Sequence, residues 1–289
     1  MVDNMKAGRG FTLIELLVII SIIGLVSSVA LANLSDARQR AQISAGIQQE
    51  VSIRRAAGDS MVGEWGFNGT PGVATVATDT SGNGNDGTIV NGTLVEPGSN
   101  GSGSAVYLGG PGSYVTGAGI ASGYSENTTI TAWINPSEIT NARSIFSSGY
   151  EGCVNYGMTI SSGSLGPKIP NFLAPEPAEC EGCEEQNALI KNNVWTFVAT
   201  TFSDDGDINI YTNGTLAQTI SNLPTVNACG TTRWTIGALS TNESGSSASE
   251  NFAGLIDEVR VYRGANPFAE SDIQRLYTQE LEDRKFANI

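Results

Sequence analysis

The run from Leu16 to Leu34 holds no charged side chain, and its polar members are Ser21, Ser27, Ser28 and Asn33. About 20 apolar helical residues span the hydrocarbon of a bilayer, so this run is long enough to cross one. One carboxylate, Glu15, stands at its start. A carboxylate at the edge of a membrane span is costly unless it meets a cation. No turn signal ends the run. Good helix formers continue through residues 35–43 and 48–57, with Ile43, Ile47 and Val51 at helical spacing. Gly58-Asp59 reads as the stop, and no proline lies between Phe11 and Met61. The pattern predicts one long helix from Phe11 to Ala57, within an assembly segment 11–58. Its first half suits lipid or a filament core, and its second half a packed contact with a globular head. Gly24 and Gly46 weaken it by about 1 kcal/mol each relative to alanine.

Ahead of the run stands Arg9-Gly10-Phe11-Thr12-Leu13-Ile14-Glu15. Glycine, then phenylalanine, then an apolar run with glutamate fifth after the glycine resembles the class III signal of type IV prepilins and pseudopilins. The resemblance implies a leader, residues 1–10, removed by a prepilin peptidase that cuts between Gly10 and Phe11 and methylates the new amino group. It implies that Glu15 pairs with the α-amino group of a neighbouring pilin subunit in a filament raised from an inner-membrane assembly platform. Lys6 and Arg9 in the leader fit retention on the cytoplasmic side. An ordinary secretory signal is the rival, with small-residue sites at Ser28-Val29-Ala30 and Ala30-Leu31-Ala32. That reading leaves Glu15 without a purpose.

The 289 residues fit one helical anchor and one sizeable domain. A formal charge of -14 repels phosphate backbones, so no direct nucleic-acid partner is expected. The chain has no histidine, which removes Ser-His-Asp and Cys-His catalysis and the commonest transition-metal ligand. Cys153, Cys180, Cys183 and Cys229 all follow the apolar helix, in the part that would be exported. Two disulfides suit that compartment, with three connectivities open. A four-thiolate zinc site is the alternative suggested by Cys180-Glu181-Gly182-Cys183, although Cys153 and Cys229 stand alone.

After Ser60 the texture changes to short alternating runs between turn clusters. Val62–Phe67, Ser104–Leu108, Ser113–Thr116, Thr128–Ile134, Trp195–Phe202, Ile208–Tyr211, Trp234–Gly237 and Leu255–Tyr262 read as strands. Asn213-Gly214 is a two-residue hairpin signal. Many short strands without intervening helices predict a two-sheet sandwich. A terminal helix starts near Ser271, capped by Glu270 or Ser271. The stretch Gly152–Asn192, with three cysteines and four prolines, reads as an irregular insertion. The runs Glu64-Trp65-Gly66-Phe67-Asn68, Asp79-Thr80-Ser81-Gly82-Asn83-Gly84, Ile130-Thr131-Ala132-Trp133, Tyr211-Thr212-Asn213-Gly214 and Gly254-Leu255-Ile256-Asp257-Glu258-Val259-Arg260-Val261-Tyr262 resemble, in order and spacing, the laminin G-like, concanavalin A-like family. The likeness covers about residues 61–280. It implies a mainly β fold: a jelly-roll sandwich after the long N-terminal helix, closed by a short C-terminal helix.

Strand alternation puts Asp257 on one face with Val259 and Val261, at the edge of the core. A carboxylate there needs a cation or several donors. The family resemblance implies a structural calcium ion, held by Asp257 and by backbone oxygens near Asn68; backbone N–H donors are the other solution. Asp79 to Gly84 imitates the start of an EF-hand loop, but the twelfth position is Val90, so a tight Asx-rich turn is expected. Hydrolases of this broad fold carry a Glu-x-Asp-x-x-Glu strand, which this chain lacks; no enzyme activity is expected. Tyr150, Tyr156 and Phe172 suit either stacking on sugar rings or local packing. Asn68, Asn91, Asn100, Asn127 and Asn213 stand in Asn-x-Ser/Thr sequons and are read as turn chemistry.

These readings together predict a type IV pilin-like filament subunit displaying a lectin-like head in adhesion. It would be single-pass in the cytoplasmic membrane before assembly and part of an extracellular pilus or pseudopilus afterwards. Its partners would be identical or related pilins and a carbohydrate or other surface ligand. A type II secretion pseudopilin and a membrane-anchored carbohydrate-binding protein that never polymerises are the alternatives.

Overall fold

The structure, a computed structural model, describes residues 13–24, 61–120, 127–168, 190–221, 230, 233–264 and 268–287. The chain divides into two compact units, Met1–Ser52 and Ile53–Ile289. The expectations for Gly10, Phe11, Cys180, Cys183 and Cys229, and for the helix beyond residue 24, lie outside the described residues.

In the first unit, residues 13–24 are helical and exposed along their whole length. Leu13 is 80% exposed and Ile19, the most covered of the large apolar residues, 41%. A helix that is apolar all round has no solvent-facing side, so its partner is lipid or other protein. Ser21 donates its hydroxyl to the Leu17 carbonyl at 2.8 Å, which keeps that polar atom inside the helix. Among the described residues no helix is long and apolar enough to cross a membrane.

The second unit is a sandwich of two antiparallel sheets. In the first, the order is Thr215–Ile220, Ile208–Thr212, Thr196–Phe202, Asn127–Pro136, Ala253–Gly264, Ala105–Gly109, Gly92–Val95 and Gly72–Val73, with Met61–Trp65 also on Ala253–Gly264. In the second, it is Ser164–Lys168, Cys153–Ser161, Arg143–Tyr150, Trp234–Ile236, Tyr114–Gly117, Gly87–Val90 and Val76–Ala77. The inner faces meet in one core that includes Trp65, Phe146, Tyr156, Trp234, Ile130, Ile134, Val259 and Val261. Trp65 and Trp234 lie 4.3 Å apart between ring centroids. Each such side chain gives about 1.5–3 kcal/mol on burial.

The expected irregular insertion is partly regular. Cys153–Ser161 and Ser164–Lys168 form a hairpin on Arg143–Tyr150, with Cys153 half-buried at its start. Val154, Tyr156, Met158 and Ile160 alternate and are buried, a period-2 signal that the nearby prolines and cysteines obscure.

The terminal helix, Glu270–Ala287, covers the outer face of the first sheet. Ile273, Leu276 and Tyr277 fall on one helical face and pack on Trp133, Phe197, Tyr211 and Tyr262. Its cap is not Glu270 or Ser271. The Asp272 carboxylate reaches back to accept the Ala269 N–H at 3.1 Å, the reciprocal half of a capping box. The Asn213-Gly214 turn has φ of 49° and 78°, the geometry of a tight hairpin. A Cβ on Gly214 would meet Tyr277 at 2.8 Å, so the glycine also admits the helix.

Candidate functional site

Strand Ala253–Gly264 changes partner along one edge. Ala253–Ile256 pair with Ala105–Gly109, whereas Val259–Tyr262 pair with Met61–Trp65. Between them lies a bulge: Asp257 stands opposite Trp133 and Arg260 opposite Thr131, and Glu258 takes a φ of 48°. The bulge breaks the expected alternation. Ile256, Val259 and Val261 face the core, while Asp257 and Arg260 share the outer face with Trp133 and Thr131, their cross-strand neighbours. The extra residue inserted at Glu258 moves Asp257 off the face of the valines.

Asp257 is buried all the same, at 1% exposure. The loop between Gly92–Val95 and Ala105–Gly109 lies against it. Asp257 Oδ2 accepts the Ser99 N–H at 2.7 Å and Oδ1 the Glu258 N–H at 2.8 Å. Burial, with the Glu258 charge adding to it, pushes the carboxyl up to about 8 against these bonds. Asn68 reaches the same loop, its Oδ1 accepting the Ser104 N–H at 3.3 Å. The structure thus brings the two expected residues to one loop. Among the described residues no cluster of three or more His, Cys, Asp or Glu could hold a metal. A cation at Asp257 would draw its other ligands from neutral oxygens, which suits a hard ion such as calcium.

Asp79 is different. It accepts N–H groups of Glu64, Ser81 and Asn85 at 3.0, 2.9 and 2.8 Å. Burial alone would raise its carboxyl, but these bonds hold it below the usual range. Its acceptors are used within an Asx turn rather than offered to an ion.

Beside Asp257, Arg260 binds three glutamates. Its Nε donates to Glu64 Oε1 at 2.9 Å, its Nη2 to Glu258 Oε2 at 2.6 Å and its Nη1 to Glu280 Oε1 on the terminal helix. Trp133 Nε1 donates to the other oxygen of Glu280. All four charged side chains are 12–14% exposed. Removing one partner from such a network leaves buried charge uncompensated, typically at about 3–5 kcal/mol. Arg260→Met should therefore lower head stability by about that amount. Every tryptophan of the chain lies between residues 65 and 234, so tryptophan fluorescence reports head unfolding in the intact chain. A melt unchanged by the substitution would remove this network from the account of stability. Sequence reasoning did not find the network, because Glu64 and Arg260 are 196 positions apart and no local pattern links them.

Glu64 and Glu258 also line a cleft of about 370 Å³, with Asn68 and Thr78 as further polar walls and Phe67 and Leu94 as apolar ones. Carboxylate and amide oxygens beside apolar surface can accept hydrogen bonds from a polyhydroxylated or cationic ligand while covering its carbon skeleton.

Residues 108–270, more than half of the chain, match the family described as the concanavalin A-like lectin/glucanases superfamily, and residues 5–31 match the prokaryotic N-terminal methylation motif. A fimbrial protein of Pseudomonas aeruginosa is 38% identical over 58 residues, 20% of this chain and 37% of that protein. The type IV major pilin protein PilE1 of Neisseria gonorrhoeae is 38% identical over 76 residues, 26% of this chain and 36% of that one. The chain thus spans little more than a third of the length of these curated relatives. Two solved structures share the sandwich. The ligand binding domain of botulinum neurotoxin serotype D, in complex with N-acetylneuraminic acid, has a TM-score of 0.53 at 17% identity, over 78% of this chain and 52% of that one. Domain 4 of AbnA, an extracellular arabinanase from Geobacillus stearothermophilus, in complex with arabinotriose, has a TM-score of 0.50 at 18% identity, over 75% and 98%. Likeness at such identity establishes the fold alone. The N-terminus is type IV pilin-like, and with its sandwich the chain belongs to the concanavalin A-like lectin/glucanases superfamily.

Proposed function

We propose that this chain is a type IV pilus subunit that polymerises through its N-terminal helix and displays the sandwich as an adhesive, non-enzymatic head. The observation that carries the reading is the fusion of the methylation motif, with Glu15 at its place, to a lectin-type sandwich. The relatives matched over the motif are a fimbrial protein and a major pilin, which favours a pilus over a secretion pseudopilus. The precursor sits in the cytoplasmic membrane with its head outside, and the assembled form is extracellular. Sugar ligands are supported by two sandwiches of like fold whose structures hold N-acetylneuraminic acid and arabinotriose. Asp257, with Asn68 at the same loop, would hold a calcium ion, which would supply positive charge to a buried carboxylate.

Purified surface filaments, analysed by intact mass, test the reading. The expected subunit begins at Phe11 and carries one N-methyl group. Gly10 replaced by a bulky residue should keep its leader and yield no filaments. A mature start beyond Ala30, or filaments that lack this chain, would overturn the proposal.

A further inference from the structure

The terminal helix packs on Trp133, Phe197, Tyr211 and Tyr262, and the outer face of the first sheet stays open beyond it, toward the edge strand Gly72–Val73. There a straight row crosses five strands. Val73 stands opposite Thr93, Thr93 opposite Tyr107, Tyr107 opposite Leu255 and Leu255 opposite Asn135. Leu94, Val106, Leu108 and Ile256, their neighbours in sequence, face the core, so alternation turns the row outward. Strands lie about 4.8 Å apart, which makes the row roughly 19 Å long. Val73 is 88% exposed and Tyr107 44%, while Thr93, Leu255 and Asn135 are half-buried. None of the five is charged, on a chain of formal charge -14. Among the described residues Tyr107 is the one exposed aromatic side chain; Tyr156, which suited sugar stacking from its sequence, is buried in the core. Gly109, two positions on and on the same face, keeps the space beside Tyr107 clear: a Cβ there would stand 3.7 Å from Cε1 of the ring. The ring thus leans along the strand toward a residue with no side chain, which leaves its flank uncovered.

Apolar side chains left together in the open call for a partner. A specific protein interface takes about 800 Å² from each side. One aromatic side chain gives about 150–250 Å² when wholly covered, and four smaller side chains, three of them already half-buried, leave the row short of that area. A sugar chain needs less. The carbon face of a sugar ring covers an aromatic ring, and the hydroxyls around its rim seek small polar side chains. Charge narrows the class further, because an acidic chain repels an anionic sugar and an uncharged row offers it no compensating cation. Resting on the reading of the head as a sugar-binding domain, we infer that this row is the platform, and that its ligand is a neutral, unbranched oligosaccharide lying across the strands. Tyr107 stacks on a ring at the middle, Val73 and Leu255 cover carbon faces on either side, and Thr93 and Asn135 hydrogen-bond to hydroxyls. None of the five lines the cleft beside Glu64 and Glu258, so the platform is a separate site.

The test uses the full chain in detergent on a printed array of neutral and sialylated oligosaccharides, arabinotriose among them. Affinity for a bound member is then measured by titration calorimetry. Neutral members should bind. Tyr107→Ala should weaken binding at least about tenfold, equivalent to about 1.4 kcal/mol, whereas Tyr107→Phe keeps the ring and should retain most of the affinity. Thr93→Arg puts bulk and charge beside Tyr107 and should abolish binding, with an unchanged melt by tryptophan fluorescence separating lost binding from lost fold. Leu216→Ala, an exposed apolar site on the opposite edge strand of the same sheet, should bind normally. Full affinity in both Tyr107→Ala and Thr93→Arg would place the sugar elsewhere on the head, overturning the platform while the sugar reading stands. Binding of sialylated members alone would overturn it as well. If the two variants lose filaments and keep the sugar, the row is a contact between copies of the chain and not the platform. If the unmutated chain binds no member of the array, the sugar reading and the platform fall together.

Discussion

In chelator, head stability will fall as pH rises from about 4 to about 8, and Asp257→Asn will remove most of that fall. The folded-state value of Asp257 is pushed up to about 8 from an ordinary 3.8. A raised carboxyl binds its proton in the folded state where the unfolded chain has released it. Its contribution is therefore fully present below the unfolded value and is lost as pH climbs to the folded one. A separation of that size corresponds to roughly 6 kcal/mol at most, a large part of the roughly 5–15 kcal/mol typical of a domain. Asp79, held below its usual range, acts in the opposite sense and confines its own loss to acid, below the window of Asp257. Calcium should flatten the slope, because an ion beside the carboxylate favours the charged form. The amide introduced by Asp257→Asn would keep an acceptor for the Ser99 N–H and carry no charge, so in chelator at pH 8 the variant should melt above the unmutated chain. In saturating calcium at the same pH the order should reverse. Equal pH slopes for the two proteins in chelator would show that Asp257 does not titrate as its burial requires.

The sandwich was legible because its strands announce themselves locally. Ile130, Ala132 and Ile134 alternate in the sequence and face the core in the structure, and Asn213-Gly214 turns where the dipeptide says it should. What was not legible depends on one residue of register or on distant partners. Nothing local in Ile256-Asp257-Glu258-Val259 marks a bulge, since Glu258 is an unusual residue at positive φ. The bulge falls where the strand exchanges one neighbour for another along its other edge. Asp257 was found as a residue that needs a partner, but its face was misplaced. Ser99 as the partner of Asp257 was not legible, because the two are 158 positions apart. The turn at Asp79 was read correctly because its donors lie in adjacent sequence, apart from Glu64.

Glu15→Val should abolish filaments while leaving the precursor in the membrane at its normal level. The helix over residues 13–24 exposes every large apolar side chain it has, and on the proposed reading these are covered by lipid or by copies of itself. In either place a carboxylate is costly, and a cation within reach offsets that cost. On the proposed reading, cleavage after Gly10 within the methylation motif would give each subunit a new α-amino group at Phe11. Pairing of Glu15 with that group on a neighbour would neutralise both charges and fix the axial register, because a shifted subunit would leave the two charges apart in a medium that screens them poorly. Breaking a buried pair by removing one partner costs about 3–5 kcal/mol, or roughly a factor of several hundred in the equilibrium for adding each subunit. Glu15→Asp keeps the charge on a shorter arm and should give fewer filaments rather than none. Valine by itself makes the segment more apolar, so membrane insertion should be unimpaired, which separates a failure of assembly from a failure of targeting. Measured as sheared surface filaments against total chain in the membrane fraction, a normal ratio for Glu15→Val would show that register is set elsewhere along the helix.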